Sequence, residues 1–274
     1  MLHSVVFVVI NYAKGDCYLN AYEQEELMKK RDYRVVKSNQ LVQKSRFDLS
    51  LTEQRVAAYI CSLIKPMDIG IPYQTEYVFD IREYAKVCGL HLDSGRLYEE
   101  TKAVLQKLMQ KIIKLKLPDN SELMMAWLVT VHAAERSGKF KIRINEDIVP
   151  HLFGLEKNFT AYAMLNILAM KSRYSLRIYE LMQSCAYKKE ATFDIDELKM
   201  LLMADGNKSY DKSGDFKKRV LDPAMNEINV YTDLTVCYVP IKKGRKIDKI
   251  KFYISKKATF DRFIAHTKTS EEIR

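Results

Sequence analysis

The feature that most constrains this chain is an ordered set of elements that its sequence spells out twice. In the first copy, Ser50 and Glu53 form a capping box, and Val56, Ala57, Ile60, Leu63 and Ile64 then fall on one helical face that Pro66 closes. Beyond Gly70 and Pro72, Tyr77 to Phe79 reads as a short strand. Asp80 and Glu83 form a second capping box for a helix that stops at Gly89. Ser94 is the predicted N-cap of a long helix whose stripe is Leu97, Val104, Leu105, Leu108 and Ile112. A strand over Ile112–Leu117, a turn at Pro118–Ser121 and a long apolar strand over Leu123–Ala133 follow. After Arg136-Ser137-Gly138, Phe140, Ile142 and Ile144 alternate with Lys139, Lys141 and Arg143, so a basic face should look outward.

The second copy follows a connector at Asn145–Pro150 and a helix predicted over Phe159–Lys171. Leu176, Tyr179, Met182 and Ala186 give a helix over Tyr174–Ala186. Phe193-Asp194-Ile195 repeats Phe79-Asp80-Ile81, with Glu197 standing to Asp194 as Glu83 does to Asp80. A second long helix opens near Ser213 with Phe216, Val220, Ala224 and Ile228 as its buried stripe, and Pro223 predicts a kink or break in it. Strands over Thr232–Val239 and Lys249–Ile254 flank a loop at Pro240–Lys246.

Helix, tight turn, helix is the helix-turn-helix arrangement, and a hairpin behind it makes a winged helix. A repeat spaced by roughly 115–120 residues means duplicated domains rather than a solenoid. The expected fold is therefore α+β, two tandem winged-helix domains related by internal duplication. The division is an N-terminal extension over 1–34, domain 1 over 35–150, domain 2 over 151–260 and a tail over 261–274.

Charge points to the partner. Lys and Arg number 45 against 35 Asp and Glu, a net charge of +10 that favours a polyanion. In a winged helix the second helix enters the major groove and the wing reaches phosphates or the adjacent minor groove. The candidate DNA-binding residues are Lys212 in the loop before the second long helix, Lys217, Lys218 and Arg219 on that helix, Lys242, Lys243, Arg245 and Lys246 in the second wing, and Arg96 and Lys102 on the first long helix. Glu99 and Glu100 dilute the field of that first helix. Tyr and Phe fall mostly on apolar stripes, where packing accounts for them better than base stacking.

Other chemistries find no purchase. There is no GxxxxGK[ST] loop, and His3, His91, His132, His151 and His266 are scattered without an HxH or HxxxH pair, so no catalytic, metal or cofactor site is expected. Asp194 with Asp196, or Asp80 with Glu83, is explained by helix capping rather than by a metal. Cys17, Cys61, Cys88, Cys185 and Cys237 are odd in number and contain no CxxC, which fits a reducing cytoplasm. Leu2 to Ile10 is too short an apolar run to span a bilayer and reads as a short strand or packed extension, so no membrane role is expected.

Three segments carry a family resemblance: Tyr174-Ser-Leu-Arg-Ile-Tyr-Glu-Leu181; Phe216-Lys-Lys-Arg-Val-Leu-Asp-Pro-Ala224 with Glu227-Ile228-Asn229; and Lys242-Lys-Gly-Arg-Lys246 closing on Ile250-Lys-Phe252. They resemble the second winged helix of iteron-binding plasmid replication initiators of the RepA/RepE type. Residues 39–62, 77–89 and 94–115 resemble the first. The likeness covers roughly Val35 to Lys256, with Met28 as an alternative start. It implies a protein that binds directly repeated origin DNA, helps to open the duplex, and recruits the host initiator and replicative helicase. It also implies a homodimer, formed through domain 1, that binds an operator inverted repeat and represses its own gene. Lys217, Lys218 and Arg219 would lie at the major groove, Arg245 and its neighbours at the backbone, and Leu123–Ala133 at the dimer contact. The alternatives are a winged-helix transcriptional repressor and a DNA-nicking Rep enzyme.

Overall fold

A computed structural model describes residues 33–64, 74–92, 95–134 and 137–258. The expected element at Leu2–Ile10 and the N-cap Ser94 lie outside them. The first unit opens with β1 (Arg34–Ser38), α1 (Asn39–Lys44) and the two-residue β2 (Ser45–Arg46). The capping box forms as the sequence predicts. The Ser50 hydroxyl accepts from the Glu53 amide at 3.3 Å, and Ser50 N–H donates to Glu53 Oε2 at 2.8 Å. It starts α2 (Leu51–Leu63), which is buried all round from Val56 to Cys61 and is therefore a central helix.

β3 (Glu76–Asp80) leads to α3 (Ile81–Cys88), capped by the Asp80 carboxylate on the amides of Arg82 and Glu83. Gly89, with φ of +66°, takes the left-handed conformation that ends the helix. The reciprocal half of that cap does not form: the Glu83 carboxylate accepts the Tyr33 hydroxyl at 2.6 Å instead. α4 (Arg96–Gln110) buries Thr101, Leu105 and Leu108.

Two expectations fail in the stretch that follows. The single strand predicted over Leu123–Ala133 is two, in different sheets. After β4 (Ile112–Lys116), β5 (Glu122–Ala126) completes a β2–β4–β5 sheet, whereas β6 (Leu128–Ala134) pairs with β7 (Lys139–Ile144) in a β3–β7–β6 sheet. Trp127 makes the break. Its ring is buried edge-on to Phe47, 5.9 Å between centroids, and its carbonyl accepts the Asn145 amide at 3.2 Å. The β7 alternation holds, with Lys139 and Lys141 exposed and Phe140, Ile142 and Ile144 buried.

The helix predicted over Phe159–Lys171 is instead a strand, β8 (Phe159–Ala163), and one short turn, α5 (Leu165–Leu168). Thr160 and Tyr162 are buried while their neighbours are half-exposed, a period of two that favours strand. β8 pairs antiparallel with β1, from Arg34 against Ala163 to Ser38 against Phe159.

α6 (Arg173–Cys185) then serves as the first helix of the second unit, with β9 (Glu190–Asp194) and α7 (Ile195–Leu201) after it. Asp194 caps α7 through the Asp196 amide, while Glu197 reaches out to Lys44 at 3.9 Å instead of closing a box. α8 (Ser213–Phe216), a π turn (Lys217–Leu221) and α9 (Asp222–Tyr231) make one continuous helix. β10 (Leu234–Lys243) and β11 (Lys246–Lys256) form the second wing on β9. The chain is α+β, two winged helices in tandem. The hairpin β4–β5, inserted between long helix and wing, is found in the first alone.

Buried charges join the halves. Lys37 Nζ on β1 and the Tyr162 hydroxyl on β8 each lie 2.6 Å from Glu180 Oε1. Arg177 Nη1 lies 3.4 Å from Glu180 Oε2, and Arg177 Nη2 donates to the Ser45 carbonyl at 2.7 Å. Burial alone would raise the Glu180 pKa, but Lys37 and Arg177 outweigh it and hold the group below its ordinary value. Glu180→Ala strands two cations in the core and should cost about 3–5 kcal/mol in urea unfolding. Because the folded pKa is depressed, the stabilisation is present above the unfolded value of about 4.3 and is lost as pH falls through the lower, folded one. A loss below about 1 kcal/mol would mean the cluster is solvated.

Candidate nucleic-acid interface

The second long helix keeps an apolar stripe despite an extra residue in its middle. Phe216, Val220, Leu221, Ala224, Met225 and Ile228 are all buried. The π turn absorbs that residue, and the Asp222 amide bonds the Lys217 carbonyl five positions back. It lies just ahead of Pro223, which lacks an N–H and would press on the carbonyl four residues earlier in a regular helix. Widening the turn accommodates the ring, so the helix is not broken at Pro223, and the irregularity expected there takes the form of the π turn just ahead of it.

The same turn presents Lys217, Lys218 and Arg219 to solvent as three consecutive exposed residues. Lys212 is exposed immediately before the helix, and its carbonyl accepts from the amides of Asp215 and Phe216. The wing strands run further than predicted and leave a two-residue turn, Gly244–Arg245, between paired Lys243 and Lys246. Gly244 has φ of +63°, which suits glycine at the first turn position. Lys242, Lys243, Arg245 and Lys246 are all exposed at this tip. At ~3.4 Å per residue the tip lies about 17 Å along the strand from Tyr238.

The second unit therefore carries eight of the ten predicted residues, in two exposed clusters at the helix start and the wing tip. Among the described residues, Lys218, Arg219 and the four wing-tip cations have no carboxylate within ion-pair distance. Lys217 differs. Its ammonium lies 2.8 and 3.0 Å from the two Asp222 oxygens and 5.8 Å from the centroid of the Tyr238 ring. The Tyr238 hydroxyl donates to Asp222 Oδ1 at 2.6 Å. The bond from Asp222 raises the Lys217 pKa. Burial, then the bond to Asp222, pushes the Tyr238 phenol up to about 12.

Sequence reasoning missed Asp222 and Tyr238. A lysine and an aspartate five apart do not face each other on a regular helix, where partners sit three or four apart. Only the π turn brings them together.

Arg96 and Lys102 sit apart from this group, on α4 of the first unit. Arg96 pairs with Glu100 at 2.8 Å and Lys102 with Glu99 at 3.8 Å. Lys107, further along the same helix, and Lys111, just past its end, both reach Glu53, at 3.8 and 2.6 Å. Among the described residues no group of three or more His, Cys, Asp or Glu is placed to hold a metal, and no helix is long and apolar enough to cross a membrane.

Known proteins share this architecture. Over 229 residues the chain is 28% identical to a replication initiation protein of Escherichia coli, matching 80% of this chain and 69% of that protein. Over 124 residues it is 35% identical to the PI protein of Escherichia coli, matching 40% of each. The fold superposes on the crystal structure of the Pi initiator protein in complex with iteron DNA, with a TM-score of 0.66 and 23% identity, covering 83% of this chain and 99% of that one. Residues 34–183 match the family model "Initiator Replication protein, WH1" and residues 194–254 match "Initiator Rep protein, WH2", so the chain belongs to the family of replication initiator proteins built from these two winged-helix modules.

Proposed function

We propose that this protein initiates plasmid replication by binding directly repeated origin DNA with both winged helices, without covalent chemistry of its own. The observation that carries the reading is the second unit's surface, where an exposed cationic helix turn and an exposed cationic wing tip stand on neighbouring elements, with six of their cations unpaired among the described residues. Lys218 and Arg219 are assigned to the major groove and Lys242, Lys243, Arg245 and Lys246 to phosphates. Lys212 and Lys217 flank the groove contact, and Arg96 and Lys102 provide the first unit's. Domain 2, over 151–260, is the main DNA-binding domain. Domain 1, over 35–150, adds a DNA contact and a dimer surface.

β6 supports the dimer part of the reading. Among the described residues it is an edge strand, paired with β7 alone, and Val129 on it is 42% exposed. An exposed edge strand is a template for pairing with a second copy. Bound as such a dimer to an operator inverted repeat, the protein represses its own gene. As a monomer on the repeats it opens the duplex and engages the host initiator and replicative helicase, in the cytoplasm.

Footprinting on DNA flanking the protein's own gene, at near-physiological salt, tests the reading. Regularly spaced protections over direct repeats are expected, each spanning about two helical turns, since two recognition helices reach grooves roughly 34 Å apart. Protection of one inverted repeat over a promoter, and nothing else, would identify a repressor. Covalent protein–DNA adducts formed with added Mg²⁺ would identify a nicking enzyme.

Two substitutions divide the surface by role. Lys218→Ala should cost about 1–3 kcal/mol at the cognate site and relax its specificity. Lys243→Ala should weaken cognate and random DNA alike and flatten the salt dependence by about one unit. Equal, sequence-blind losses from both would make the helix turn a phosphate binder too.

A further inference from the structure

We propose that Asp222 is a specificity-determining residue that acts by positioning: it withholds Lys217 from phosphate and fixes the wing against the recognition helix. The proposal rests on the reading of the second unit as a DNA-binding surface. Between helix and wing runs a groove lined by Lys217, Asp222, Met225, Asn229, Tyr238 and Pro240, among others, and Asp222 is the single carboxylate among the described residues that line it. A negative charge there opposes the approach of DNA, so its presence amid cations calls for a physical account.

The geometry supplies one. The wing is tied to the helix at two levels. At the base, the Asn229 side-chain amide acts as a short strand partner, donating to the Val236 carbonyl at 2.9 Å and accepting its N–H at 2.7 Å. Two residues further out, Asp222 accepts from the Tyr238 hydroxyl on the wing and from Lys217 on the helix. On its other side the hairpin is already paired to β9, from Lys249 against Asp194 to Tyr253 against Glu190. The two ties to the helix add to that pairing and set the separation between the cations at the tip and those on the helix turn.

The electrostatic consequence is distinct. Counterion release rewards every phosphate contact regardless of sequence. Lys217, satisfied by two carboxylate oxygens and lying over an aromatic ring, is held back from that contact. Asp222 thereby lowers affinity for any duplex more than for the one whose backbone follows the fixed wing. Penalising wrong partners in this way is an established physical route to specificity.

The test uses the full chain, a random-sequence duplex and a duplex taken from the region protected beside its own gene, with anisotropy titrations across a range of salt. Asp222→Asn preserves shape and an acceptor for Tyr238 but removes the charge. Random-DNA affinity should rise several-fold, the salt dependence should steepen by about one unit, and the ratio of cognate to random affinity should fall. Tyr238→Phe keeps the Lys217–Asp222 pair but loses the wing tie, so cognate affinity should fall with the salt dependence unchanged. If Asp222→Asn leaves slope and ratio unchanged while Lys218→Ala still weakens binding, the proposal fails and the DNA-binding reading stands. If Lys218→Ala and Arg219→Ala also change nothing, the surface has been misread and the proposal falls with it.

Discussion

One buried carboxylate, Glu180, holds the two halves of this chain in a single arrangement. It is bonded by Lys37 from the first strand and Tyr162 from β8, with Arg177 from its own helix beside it. Three ionised groups in the core are costly to desolvate, and their mutual attraction only offsets that cost. Their effect is on selection among arrangements: any register that parts Glu180 from its cations leaves a charge in apolar surroundings. The aromatic neighbours add to this, with Lys37 5.6 Å from the Trp127 centroid and Arg177 4.8 Å from that of Phe47. The β1–β8 pairing and the all-round burial of α6 follow from bringing these residues together.

That dependence explains which parts of the fold the sequence made legible. Local signals survived wherever one element decides its own ends: the Ser50–Glu53 box, the Asp80 and Asp194 caps, the Gly89 stop and the alternation of β7. They failed where a distant partner decides. Leu123–Ala133 is apolar at every position but Thr130 and His132, and only the seat for Trp127 beside Phe47 shows where it divides between sheets. Residues 159–171 contain enough Ala, Leu and Met to suggest a helix, but β1 claims the first five as a strand. Glu83 and Glu197 have the spacing of capping residues, and Tyr33 and Lys44 draw them elsewhere.

The candidate interface divides in the same way. Runs of Lys and Arg were plain in the sequence, and the exposure of residues 217–219 and 242–246 followed from their places between apolar residues or in a turn. Which cations carry a local counter-charge was not plain. On α4 and at its C-terminal end each named cation has an acid nearby, with Arg96, Lys102, Lys107 and Lys111 facing Glu100, Glu99 or Glu53. On the second unit one cation of the helix turn is paired and two are not. A count of charges ranks the two helices as similar, whereas their ion pairs make them electrostatically different surfaces.

The asymmetry bears on how a duplicated fold comes to hold two jobs. Both units keep the helix, strand, helix, helix and hairpin order, so the scaffold for entering a groove is present twice. In the first, the inserted β4–β5 hairpin and the bonds from α4 to Glu53 spend surface on internal contacts. In the second, Lys218, Arg219 and the wing-tip cations are left to solvent, and helix and wing fasten to each other through Asp222 and Asn229. An unpartnered cation on an exposed surface costs a folded protein little, since water and salt screen it. The second unit therefore carries an open electrostatic surface at small cost to stability, while the first, bound through β1 and α6 to its neighbour, fixes where that surface stands.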